Sequence, residues 1–328
     1  MAPIDRRPTS SSTPRIAVLL PCYNEGPVIA SVVQAFRENL PTAVIYVYDN
    51  NSSDETAQNA RRAGAIVRNE RARGKGNVVR RMFADIDADV YILSDGDGTY
   101  DATAAPTMLA CLIEDHLDMV VGTRVPTDPH SYRPGHLFGN RFLTATVARL
   151  FGNRLQDVLS GYRVMSRRFV KSFPGLASGF EIEVMLTIHA LELKLPYREI
   201  ESRYTERRAD TASKLNTVRD GLRILGAITM LFKEAHPFRF FTSTAVLLAT
   251  ASLGFGVPVI VEFIETGLVP RFPTAILAAS LMVLAGIGLT CGLILDSVSR
   301  ARREIKRLHY LALPPVQTTV EAGGHERL

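Results

Sequence analysis

DVYILSDGDGTYD, residues 89–101, is the stretch on which the fold turns. Its first half is apolar and reads as a short buried strand. Its second half sets Asp95 and Asp97 on either side of Gly96, where that strand runs out. Two carboxylates so spaced suit a hard divalent cation held through oxygen, Mg2+ or Mn2+. An acidic turn closing a strand has the same composition. Working outward, the apolar strand pattern recurs at residues 15–21, 44–49, 65–68 and 118–123. Helices are predicted between them: from Pro27 to about Asn39, from a Ser52/Ser53 cap to about Ala63, and from about Lys75 to Ile86. Apolar strands alternating with helices predict an α/β domain with a mostly parallel sheet covered on both faces. Ligands of such sheets sit beyond the carboxyl ends of the strands. The acidic motifs PCYNE, YDNNSSDET and DGDGTYD each fall at such an end.

Three further motifs share that placement. PCYNE, residues 21–25, follows the first strand. YDNNSSDET follows the second, with Asp49 at the strand end. A carboxylate there accepts from ribose hydroxyls or a base N–H, and Asp54 and Thr56 read as supports for the next helix. RARGKGNVV, residues 71–79, lacks the GxxxxGK[ST] spacing of a phosphate-binding loop. Lys75 is placed either to approach a phosphate or to form an exposed basic turn.

The 328-residue chain has room for one large domain and something smaller. A net charge of +5 fits nucleic acid, anionic lipid or phosphorylated ligands alike. Cys22, Cys111 and Cys291 are scattered, with neither metal-ligand nor disulfide spacing, which suits a reducing compartment. Residues 1–14, rich in Pro, Ser and Thr, read as a disordered tail without the apolar core of a signal peptide.

Residues 240–261 and 272–295 run without a single charge. Each is long enough to cross a bilayer core, and the short link between them predicts a transmembrane hairpin over residues 240–296. Lys233 and Arg239 precede it, while Arg300, Arg302, Arg303, Lys306 and Arg307 follow. These flanks place both ends, the large domain and a basic tail at 297–328 on the cytoplasmic face. Gly288 and Gly292 suit either helix association or the hairpin's own seam. Between residues 216 and 239, Val218, Leu222, Leu225, Ile228 and Phe232 share one helical face, either lying in the membrane interface or packing on the domain. Residues 136–151 are apolar around most of a helical circumference and either bury or dip into lipid.

In order, PCYNE, DNNSSD, RGKG, DGD and the later SGYR resemble the motif series of family 2 glycosyltransferases with the GT-A fold, in the branch that makes polyprenyl-phosphate sugars. The likeness spans roughly residues 15–233. It implies a GT-A domain over residues 15–215 and inverting transfer of one sugar from a nucleotide-sugar, UDP favoured over GDP, to a polyprenyl phosphate. Pro21, Tyr23, Glu25, Asp49 and Asn51 would line the nucleotide pocket, with Lys75 and Gly96 beside it, and Asp95 and Asp97 would hold Mg2+ or Mn2+. Thr99 stands where some members carry a metal-binding glutamine. Arg124 and Arg141 match arginines that face the acceptor phosphate. Asp157 matches an acidic residue near the reacting centre, and Glu181 and Glu183 match a further signature. Arg207, Ser213 and Lys214 fit a loop that closes over the diphosphate, although Asp210 replaces its glycine.

The resemblance further implies an integral protein of the plasma or inner membrane, with a nucleotide-sugar, a polyprenyl phosphate and the bilayer as partners. A homo-oligomer is compatible with it; a nucleic-acid partner is not expected. A phosphomonoester acceptor has a second pKa of ~6 and is already a competent nucleophile. Asp157 is therefore expected to orient the site rather than to take a proton. Other readings stand beside this one, a nucleotidyltransferase among them, which would be expected to open with a glycine-rich, basic loop where PCYNE stands. A processive polysaccharide synthase would carry a QxxRW motif, and the chain has no tryptophan. A non-catalytic membrane scaffold would have no use for the paired aspartates.

Overall fold

The computed structural model describes residues 13–126, 144–145, 156–175, 182–205, 226, 229–230, 232–234 and 236–316. Arg141, Glu181, Arg207, Ser213 and Lys214 lie outside these, as do most of the N-terminal tail, the 136–151 segment, the 216–239 helix and the last twelve residues. The chain divides into two compact units, Met1–Gly221 with Lys306–Leu328, and Leu222–Ile305.

The first unit is built on a seven-stranded sheet: β1 (Ile16–Cys22), β2 (Val44–Asp49), β3 (Ile66–Asn69), β4 (Val90–Leu93), β5 (Met119–Pro126), β6 (Arg163–Ser166) and β7 (Tyr197–Tyr204). Their spatial order is β3-β2-β1-β4-β6-β5-β7. β6 is antiparallel to both β4 and β5, and the other pairings are parallel. The sheet is thus mixed, with one reversed strand inside a parallel set.

β1 shows why the sheet is covered on both faces. Val18 and Leu20 join Ile29, Val33 and Phe36 of α1 (Ile29–Asn39) and Met108 of α4 (Ala105–Glu114) in one core. Ala17 and Leu19 point the other way, toward Val79 and Met82 of α3 (Lys75–Asp85). Phe169 of α5 (Arg167–Ser172) and Leu186 of α6 (Ile182–Leu193) complete that second core. A strand buried on both sides reads as a continuous apolar run, and β1 does.

Several sequence expectations are corrected. The helix expected from Ser52/Ser53 is α2 (Thr56–Arg62). Ser52 instead accepts from the Asn24 backbone N–H (2.9 Å), and the Thr56 N–H is met by Asp54 at 3.0 Å. β6 and β7 escaped the pattern for a physical reason. β6 has only four residues, too few for a period, and β7 is partly exposed along its length, which blurs the apolar signal.

The second unit holds two helices, α7 (Pro237–Thr266) and α8 (Phe272–Leu311). Both are long and apolar enough to cross a membrane, and most of their surface is not covered by protein. Leu247 and Ile264 on α7 are each more than 65% exposed, a surface that suits lipid rather than water. Their mutual seam repeats every seven residues: Ala245, Ser252 and Val259 on α7, and Ala278, Ala285, Gly292 and Ser299 on α8. A seven-residue repeat is the seam of a left-handed helix pair. Ser252 Oγ donates across it to the Ala278 carbonyl (2.7 Å), and a Cβ on Gly292 would come within 2.9 Å of Phe241 Cβ. Within the described residues, the glycine pair therefore serves the hairpin's own seam.

The basic stretch expected as a tail is helical as far as Leu311. From Lys306 onward it belongs to the first unit. Lys306 pairs with Glu192 at 2.7 Å, and the Tyr310 hydroxyl donates to fully buried Asp118 at 2.7 Å. Asp118 also accepts from Ser166 and Arg168, whose guanidinium lies 4.7 Å above the Tyr310 ring.

Candidate active site

The carboxyl ends of β1, β2, β3 and β4 share one edge of the sheet. Because β6 is reversed, its first residue, Arg163, lies there too, opposite Leu93 and Val121. The loops that leave this edge carry the motifs.

Two of them are tied together by backbone donors. Thr56 Oγ1 accepts from the Glu25 N–H (2.8 Å), Asp54 from the Gly26 N–H (2.9 Å), and the Asn24 side chain from the Ser53 N–H (2.8 Å). Asn24 and Asn51 both have positive φ, 54° and 63°, a conformation asparagine tolerates. The Asn51 side-chain amide donates to the Glu70 and Arg71 carbonyls, and that of Asn50 to Glu70 and Ala72, while Asn50 Oδ1 accepts from the Gly74 N–H. The loops at residues 23–26, 49–56 and 70–74 thus form one braced rim. Asn51, expected to touch nucleotide, uses its side-chain amide to brace that rim.

Asp49 stands inside the rim, 6% exposed. One of its oxygens accepts from the Ser52 N–H at 3.2 Å. The other has no hydrogen-bond partner among the described residues, and a buried carboxylate oxygen in that state is costly. Tyr23 is 40% exposed and Pro21 half-buried beside it. Cys22 lies among the acidic groups: burial pushes its thiol well up, and Glu25, Asp49, Asp95 and Asp97 each push further.

Beyond β4, Gly96 leaves no room for a side chain, since a Cβ there would stand 2.3 Å from Cys22 Sγ. Asp97 Oδ1 accepts from both the N–H (3.1 Å) and the hydroxyl (2.7 Å) of Thr99, the residue at the place of the family glutamine. Among the described residues, no group of three or more His, Cys, Asp or Glu side chains is placed to hold an ion. Asp95 and Asp97 offer hard oxygen donors on one turn and leave the remaining positions to water and ligand oxygens. This is how Mg2+ is usually held, by one or two carboxylates and substrate phosphates, so the donor set fits a divalent ion.

Lys75 is no exposed basic turn. It opens α3 with its side chain 11% exposed, and its ammonium contacts Asp95 and Glu183, the latter at 2.5 Å. Burial opposes its charge, but Asp95 and Glu183 outweigh that and hold the ammonium above the ordinary lysine range. Burial raises the Glu183 carboxyl while Lys75 pulls it back. Gly161 of the SGYR motif abuts this pair: a Cβ there would lie 3.0 Å from both Asp95 Oδ2 and Lys75 Nζ. Its N–H donates to the Tyr100 hydroxyl at 2.8 Å.

Arg124, on β5, is not open to solvent on all sides. Asp157 takes its Nε and Nη2 in a fork at 2.6 and 2.7 Å, and Tyr204 lies under the guanidinium at 5.6 Å. Asp157 is held in turn. Glu199 accepts from the N–H groups of Gln156 and Asp157, and fully buried Arg163 donates to the Val158 and Ser160 carbonyls. The bracing contacts of Glu199, Tyr100 and Tyr204 are not foreseen from the sequence, because nothing in local spacing ties these side chains to the distant residues they touch.

A mixed α/β sheet with a braced rim, paired acids and a held arginine along its carboxyl edge has the ligand-binding arrangement of an α/β domain. Residues 17–173 match the family described as Glycosyl transferase family 2. Glycosyltransferase AglJ of Haloferax volcanii is 30% identical over 304 residues, covering 90% of this chain and 98% of the relative. The dolichyl-phosphate hexose transferase of the same organism is 27% identical over 190 residues, 56% of this chain and 83% of the relative. Glucosyl-3-phosphoglycerate synthase from Mycobacterium tuberculosis, solved with Mn2+, uridine diphosphate and phosphoglyceric acid, shares the fold with a TM-score of 0.54 at 21% identity, over 68% of this chain and 78% of that one. The chain belongs to glycosyl transferase family 2.

Proposed function

We propose that the protein transfers a single sugar, with inversion, from a nucleotide-sugar to a polyprenyl phosphate at the cytoplasmic face of a membrane, UDP-sugars being the favoured donors. One observation carries the reading: Asp49, the Asp95/Asp97 turn, Lys75 and the Arg124–Asp157 pair come off the same edge of a single sheet, in a chain that also has two membrane-length helices. The dolichyl-phosphate hexose transferase relative supports a lipid-phosphate acceptor, and the synthase solved with Mn2+ and uridine diphosphate supports a metal-bound UDP-sugar donor.

In this reading Pro21, Tyr23 and Glu25 line the nucleoside pocket, and Asp49 accepts from a ribose hydroxyl or base N–H with the oxygen that has no hydrogen-bond partner among the described residues. Asp95 and Asp97 would hold a divalent cation, whose charge would offset that of the nucleoside diphosphate. Arg124, with Arg141, draws the acceptor phosphate toward the sugar through fork geometry. Asp157 fixes the plane of the Arg124 guanidinium and does not need to accept a proton, since the phosphate is already anionic. Arg207 and Lys214 close over the diphosphate. Catalysis is then positioning and charge stabilisation. Because a polyprenyl chain stays in the bilayer, the hairpin keeps the site beside its acceptor.

The test is a panel of UDP- and GDP-sugars incubated with membranes containing the protein and polyprenyl phosphate, read by mass spectrometry. One lipid-linked monophosphate sugar is expected, lost when Asp95 and Asp97 are both replaced by Ala. No lipid-linked product from any donor, or product retained by that double variant, would overturn the proposal.

A further inference from the structure

The Lys75 ammonium sits between two carboxylates from elements far apart in the chain: Asp95, just beyond β4, and Glu183, in the first turn of α6. An acidic residue in a first helical turn ordinarily faces solvent and helps the helix through its dipole. Glu183 does not face solvent; it is 4% exposed. A carboxylate buried to that degree is costly unless paired, and Lys75 is its paired cation at 2.5 Å. The two glycines nearby leave no slack. Gly161 backs directly onto the Lys75–Asp95 contact, and Gly96 is wedged against Cys22.

The charge count gives the arrangement a purpose. Lys75 with Asp95 alone would be a neutral pair, and Asp95 would have to surrender its partner before binding a cation. Lys75 shared between Asp95 and Glu183 leaves a net negative charge on the three groups. A dication on Asp95 and Asp97 also repels the ammonium beside it, and Glu183 gives that ammonium a place to stay.

We infer that Glu183 is a positioning residue for the cation site: it holds Lys75 back from fully neutralising Asp95, so that Asp95 keeps its charge for a divalent ion and Lys75 stays beside the diphosphate. This rests on the reading of Asp95 and Asp97 as the cation's ligands. Glu183 touches neither sugar nor acceptor in this role; it acts through Lys75.

The experiment uses the full-length protein in detergent or nanodiscs and follows Mn2+ binding by the loss of the free-ion electron paramagnetic resonance signal. UDP and GDP are supplied in parallel. Glu183→Gln is expected to weaken Mn2+ binding about tenfold, equivalent to about 1.4 kcal/mol. The double variant Lys75→Met with Glu183→Gln removes the ammonium and its partner at constant net charge, and is expected to recover most of that loss. A general structural role for Glu183 would give no such recovery. Wild-type affinity in Glu183→Gln, or a double variant as weak as the single one, overturns the inference. If Glu183→Gln yields no folded protein by gel filtration, Glu183→Asp replaces it, with weakened binding expected and wild-type affinity overturning. Asp97→Ala separates the inference from the reading beneath it. Weak binding there with normal binding in Glu183→Gln sinks only the role of Glu183, whereas normal binding in Asp97→Ala sinks the cation site itself.

Discussion

Arg124 commits two of its N–H groups to a fork with Asp157 and holds its guanidinium carbon 5.6 Å from the Tyr204 ring centroid, so protein partners set its orientation. A lysine keeps the charge but not the fork. Arg124→Lys should therefore lower kcat/KM for the lipid acceptor by roughly 10- to 100-fold, about 1.4–2.8 kcal/mol of transition-state binding, with donor binding little changed. Asp157→Asn should lower acceptor kcat/KM in the same direction without shifting the pH–rate profile, as the orienting role proposed for Asp157 requires. A lost basic limb in that profile would make it a general base instead. Gly96 supplies a second prediction at this scale. A Cβ there collides with Cys22 Sγ, so Gly96→Ala should destabilise by about 1–3 kcal/mol, the usual cost of overpacking. Thermal unfolding would show the drop, and adding Cys22→Ala should recover part of it; no drop would mean the turn has slack.

Helix α6 contributes Glu183 to the site and, two turns later, His189 to the core. His189 is 2% exposed, edge-on to Phe169 and Phe173, with Nε2 within 3.0 Å of Ser172 Oγ and Nδ1 without a hydrogen-bond partner among the described residues. Burial, reinforced by the charge of Lys306, lowers its pKa to about 3. The sign follows from linkage. With the folded value below the ordinary 6.5, the unfolded chain binds the extra proton first, so stability falls as pH drops below about 6.5 and continues to fall toward 3. The slope from this group approaches about 1.4 kcal/mol per pH unit. Thermal midpoints measured between pH 7.5 and 5 should decline, and His189→Gln should flatten that decline. An equal decline in the variant would show that other groups carry it. β6 works at the same scale. Its reversed direction brings Arg163 to the edge where the other strands end, and there Arg163 clamps the loop bearing Asp157.

At the scale of the molecule, each unit has its own chemistry. The first buries two cores against a sheet; the second exposes apolar side chains on almost every turn of α7 and α8 and buries only a small-residue seam. Lys233 ahead of α7, Arg239 in its first turn, and Arg300 to Arg307 along α8 are the charges on which the proposed cytoplasmic position of both ends rests. In a variant lacking Cys111 and Cys291, a cysteine at Val269, between the helices, should react in intact cells with a maleimide that cannot cross membranes. A cysteine at Arg302 should react only after lysis. The opposite pattern would reverse the topology, and equal labelling of both sites in intact cells would remove the hairpin from the bilayer.

The sequence by itself determined the alternating strands and helices, the acidic turns at strand ends and the two charge-free spans. Each is a local signal, written in periodicity or in an unbroken apolar run, and needs no partner to be read. Only the tertiary structure decided that Lys75 lies buried between Asp95 and Glu183, that Arg124 is forked by Asp157, and that a reversed four-residue strand sits between β4 and β5. Those facts depend on which distant segments meet. Burial converts such meetings into strong charge pairing, and local composition records neither the meeting nor the burial.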